Sequence, residues 1–93
     1  MEKIKELKEI IEKSNLPSDS KNFWFEFLDS VEKYKIKELE ISIDYILDFL
    51  KERPDKLENL TDILMHKIEA LKEMKREKWK EVLNEEEEMI NKL

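Results

Sequence analysis

Apolar residues recur at helical spacing along almost the whole chain. Ile4, Leu7 and Ile11, flanked by Ile10, make one face of a first short helix over residues 2–14, and Glu9 and Lys13 add a favourable pair one turn apart. The stretch "NLPSDS" then interrupts the pattern. Pro17 disfavours helix at Leu16, and Ser18, Asp19 or Ser20 is the expected cap of the next helix. That second helix is predicted over residues 19–34, where Phe23, Phe27, Val31 and Tyr34 lie close together at about 100° per residue and Trp24 and Leu28 widen the same face. The apolar phase shifts near Tyr34 and Lys35. Ile36, Leu39, Ile43, Ile46 and Leu50, joined by Leu47, begin a new stripe, which predicts a tight turn or kink and a third helix ending at Arg53, before Pro54. Within that helix "LEISIDY" alternates as a strand would, but the chain offers no second strand to pair with it.

Beyond Pro54, Asp55 and Glu58 have the spacing of a capping box. From Leu57 onward Leu60, Leu64, Ile68, Leu71, Trp79, Val82, Met89 and Leu93 keep to one broad face. A continuous helix over 56–93 is expected, roughly 57 Å long at 1.5 Å per residue, about twice what its neighbours can span. A break at Asn84 competes with it, because "NEEE" reads as an N-cap followed by acids in a first turn. Lys75 and Lys78 interrupt the apolar stripe, as they would on a helix emerging into water. The fold class expected is therefore all-α: a single helical domain over residues 1–93, built as a small bundle of four helices with a long C-terminal helix.

Composition narrows the chemistry. The chain has no glycine and no cysteine and a single histidine, His66. Gly-rich phosphate loops, disulfides, thiolate metal sites and a Cys nucleophile are thereby excluded, and no HExxH or ExxH pattern surrounds the histidine. No catalytic residue, cofactor, metal site or small-molecule substrate is expected, and the chain is read as a non-enzyme. No apolar run approaches the roughly 18 residues of a membrane span, and the charged start "MEKIKELKE" does not serve as a signal-peptide core, so a cytoplasmic location is expected. Charged residues make up 45% of the chain with a net charge of −6, a balance that disfavours nucleic acid as a partner. The excess of Lys and Glu, with no glutamine, is a thermophile tendency and equally a product of an AT-rich genome.

The candidate functional residues are the apolar side chains that the helical pattern leaves over. Phe25 points about 200° around the second helix from Phe23, among Asn22, Asp29 and Glu32, where an amphipathic helix carries charge. On the third helix Ile41, Tyr45 and Phe49 recur every four residues on the side away from the Ile36 to Leu50 stripe. A central helix covered on both sides explains this; so does an exposed aromatic patch of Phe25, Ile41, Tyr45 and Phe49 that meets a partner. On the last helix Trp79 and Leu83, with Val82, Met89, Ile90 and Leu93, exceed what a monomer with a protruding helix can bury. A two-fold mate would cover them, with Trp79 as anchor, unless it is an ordinary core tryptophan.

Between Lys67 and Lys80 six basic residues outnumber three acidic ones. This Lys72 to Lys80 surface is the alternative, nucleic-acid-binding reading; a solvated face laced with ion pairs is the plainer one. The acids from Glu81 to Glu88 are read as solvated, since one straight helix does not converge oxygens on a cation. The function expected is a non-catalytic protein-interaction protein, an adaptor, inhibitor or small regulatory subunit, acting through a protein partner, a homodimer or both.

Overall fold

The helical spacing of apolar residues is realised along the chain. The computed structural model describes residues 2–93. Its elements are α1 (Glu2–Lys13), α2 (Ser18–Tyr34), α3 (Lys37–Glu52), α4 (Leu57–Lys72) and α5 (Trp79–Asn91), with single 3-10 turns at Pro54–Lys56 and Arg76–Lys78. No strand occurs among the described residues, and "LEISIDY" lies inside α3. The chain divides into two compact units, Met1–Asp48 and Phe49–Leu93, so that the boundary falls within α3.

In the first unit α1 packs against α2. Ile4, Leu7 and Ile11 of α1 and Trp24, Phe27, Leu28 and Val31 of α2 are buried. Fully burying a side chain of this size contributes about 1.5–3 kcal/mol, so these positions supply much of the unit's stability. The ring of Phe23 stacks on Phe27 at 6.1 Å and meets Trp24 edge-on at 6.4 Å, an arrangement aromatic quadrupoles favour. Where α1 ends, the hydroxyl of Ser14 donates to the Ile11 carbonyl at 2.6 Å, and Lys21 Nζ donates to the Glu12 carbonyl at 3.0 Å. Carbonyls that a helix C-terminus leaves without partners are thus answered by side chains.

The start of α2 differs from the expected cap. Pro17 itself is the N-cap residue, with φ −58° and no side-chain cap, and its carbonyl accepts from Lys21 N at 3.0 Å. Ser18 is already helical. The cap position thus falls one residue before the serine and aspartate expected to fill it, and Ser18 opens the helix. The expected box of Asp55 and Glu58 also fails to form: the N-cap of α4 is Lys56, without a side-chain bond, while Asp55 sits in a 3-10 turn beside Arg53 at 3.7 Å.

The turn expected near Tyr34 and Lys35 is present. Lys35 adopts the left-handed conformation, φ 51° and ψ 51°, and α3 restarts at Lys37. Helices commonly close on glycine there; this chain has none, and a lysine takes the position against the steric cost of its Cβ.

In the second unit α4 packs against α5. Leu57, Leu60, Leu64 and Leu71 of α4 and Leu83 and Ile90 of α5 are buried, and Thr61 satisfies its hydroxyl on the Leu57 carbonyl at 2.7 Å. The segment expected as one helix over 56–93 is therefore neither continuous nor broken at Asn84. It breaks at residues 73–75, and Asn84 lies within α5. Folding back at that point lets the two halves of a single apolar stripe cover each other, where a straight rod would leave them in water.

Candidate functional site

On α3 the buried side is formed by Leu39, Ile43, Ile46, Leu47 and Leu50. Ile41 lies on the other side and is 66% exposed. Tyr45 follows it one turn on, and Phe49 another turn on; both are partly exposed. Asp48 and Glu52, both exposed, fall within about 20° of Ile41 around the helix, so the apolar row carries an acidic border. Phe25 of α2 is also partly exposed. Phe25, Ile41 and Tyr45 belong to the first unit and Phe49, Trp79 and Leu83 to the second.

The two candidates on α5 are occupied by the unit's own architecture. Leu83 is only 7% exposed and sits in the hairpin of α4 and α5. Trp79 is partly exposed, donates its indole N–H to the Leu71 carbonyl at 3.1 Å, and carries the Arg76 guanidinium 5.8 Å above its ring. It spans the break between the helices and acts there as a clasp.

The basic segment is divided by the fold. Lys67, with its side chain 14% exposed, pairs with Glu85 of α5 at 3.1 Å, and Lys72 pairs with Glu69 at 3.4 Å. Lys75, Lys78 and Lys80 remain exposed around the 3-10 turn. Of the acidic run, Glu81, Glu85 and Glu88 are exposed, but Glu86 is fully buried on the inner side of α5. Counting from Leu83, Glu86 falls one turn on and Ile90 a further turn, so the spacing that marked those two as apolar also passes through the glutamate. That was the available signal, and the four consecutive acids obscured it.

Among the described residues no group of three or more His, Cys, Asp or Glu side chains is arranged to hold a metal ion, and no helix is long and apolar enough to cross a membrane. Comparison with protein-family models, with curated proteins and with solved structures finds no match to this chain.

Proposed function

We propose that this chain is a non-catalytic protein-interaction module, an adaptor, inhibitor or small regulatory subunit, that binds through the outer side of α3. The observation that carries the reading is Ile41: a large β-branched side chain left 66% exposed, in a row with Tyr45 and Phe49 every four residues. Such a row is the spacing by which a helix meets another helix in a groove. Its acidic border, Asp48 and Glu52, favours a partner helix with lysine or arginine beside its apolar stripe, and disfavours nucleic acid on this side. Phe25 extends the apolar surface available on the first unit.

The test is a photo-crosslinking residue placed at Ile41, with Glu58, exposed on α4, as the control position. The expected result is one protein species crosslinked from position 41 and not from 58, lost when Tyr45→Glu is introduced alongside. Equal, diffuse crosslinking from both positions would remove α3 as a binding surface.

A further inference from the structure

The break between α4 and α5 contains nothing that forces a break. Residues 73–78, "EMKREK", hold no proline or glycine and consist of good helix formers, and the apolar stripe keeps its face from Leu57 to Leu93. The backbone departs clearly from helix at one torsion of Lys75. Lys75 has φ −68°, which is helical, and ψ 141°, which is not. Rotating that ψ toward the helical value is the main step at Lys75 toward a continuous helix, and the flanking Glu73, Lys78 and Trp79 have ψ between 1° and −34°.

A side chain competes for the helical hydrogen bond at this point. In a continuous helix the Leu71 carbonyl accepts from the N–H of Lys75, four residues on. In the hairpin the same carbonyl accepts instead from Met74 N at 3.2 Å and from the Trp79 indole at 3.1 Å. In a straight helix Trp79 lies eight residues, about 12 Å, along the axis from Leu71, beyond the reach of its indole, so the clasp and the straight helix exclude each other.

We propose that residues 73–75 form a two-state hinge, and that in its straight state two copies of this chain exchange α5, each α5 packing on the α4 of its partner. A straight α4–α5 rod undoes the packing of α4 on α5, the two helices that carry the buried Leu64, Leu71, Leu83 and Ile90. The surface that fits them is the one they already meet within the hairpin, carried by a second copy. The α4–α5 packing and the Lys67–Glu85 pair at 3.1 Å are remade between chains, so the two states differ chiefly in the hinge and in the cost of association. This inference is independent of the α3 surface.

The experiment reads mass by light scattering over about 10 μM to 1 mM protein after annealing below the melting temperature, conditions in which a mass-action dimer shows itself. Wild type is expected to populate a dimer that rises with concentration, and Trp79→Phe, which keeps the ring and deletes the indole donor, to raise its fraction. Lys75→Pro fits the observed φ and cannot continue a helix, so it is expected to stay monomeric. Exchange itself is read by mixing Lys67→Glu with Glu85→Lys. Each variant alone juxtaposes like charges, whereas a mixed dimer with exchanged helices restores both pairs, raising the ratio of heterodimer to homodimers about 3- to 10-fold above its random-assortment value at low salt. Wild type and Trp79→Phe that both remain monomeric at 1 mM would overturn the proposal, as would a dimer in which the two charge variants assort at random. If Lys75→Pro fails to fold by circular dichroism, the Trp79→Phe and charge-exchange results decide.

Discussion

The indole Nε1 of Trp79 donates to the backbone carbonyl of Leu71 at 3.1 Å, eight residues back along the chain. That bond closes the turn between α4 and α5 from the outside, and with Arg76 over the ring it gives a glycine-free connection the fixed geometry that a tighter turn would draw from its backbone. Trp79→Phe is expected to lower stability by about 0.5–1.5 kcal/mol, the net worth of one such hydrogen bond. A urea melt in which the midpoint falls while the slope stays constant checks this. An unchanged midpoint would reduce the bond to a coincidence of packing.

Lys35 bears the steric penalty of a left-handed residue with a Cβ. Lys35→Gly is expected to stabilise the fold by about 1 kcal/mol, because the penalty removed exceeds the extra chain entropy glycine adds to the unfolded state. Lys35→Ala keeps the Cβ and is expected to gain nothing. Thermal melts of the two variants, compared with wild type, separate conformational strain from the loss of the lysine charge.

Ile41 and Ile43 are two residues apart on α3 and lie on opposite sides of it. Ile41→Ser is expected to change stability by no more than about 0.5 kcal/mol, as exposed substitutions do. Ile43→Ala removes packing from a position with no solvent exposure and is expected to cost about 2–5 kcal/mol. Comparable losses from both would mean that Ile41 is covered within the folded chain, and the proposed binding surface would go with it.

The exposed lysines around the α4–α5 turn make a specific negative expectation. Lys67 and Lys72 are engaged by Glu85 and Glu69, and the chain as a whole carries a charge of −6. No retention on duplex DNA, single-stranded DNA or RNA is expected at ~50 mM salt. Retention that Lys75→Glu, Arg76→Glu and Lys78→Glu together abolish would instead bring the basic turn forward as the functional surface.

Much of the helical layout was legible because apolar spacing and the two prolines act locally. The stripes of Ile4 to Ile11 and Leu39 to Leu50 needed only helix geometry to be read, and the phase shift at Tyr34 marked a turn that the structure places at Lys35. The caps were not legible, since Pro17 and Lys56 take positions that polar side chains nearby had the composition to fill. The break at residues 73–75 left a trace in Lys75 and Lys78, which interrupt the stripe, but no residue there compels it. It arises from the burial of α4 against α5, a tertiary cause that local pattern does not contain. For the candidate surface, the exposure of Ile41 matches its polar-face position, whereas the burial of Leu83 depends on that same fold-back.

Proteases bind their substrates as extended chain, and helices must open locally before they can be cut. Between Leu57 and Asn91 only residues 73–75 lie outside helical turns, and Lys75 there is both extended and exposed. Within the α4–α5 hairpin a trypsin-like enzyme is thereby directed to the bond after Lys75, and exposed tips of this kind are where nicking concentrates. The nick would not by itself release α5. It would turn α5 from a tethered ligand, held near α4 at an effective concentration on the order of millimolar, into a free peptide whose residence depends on dilution.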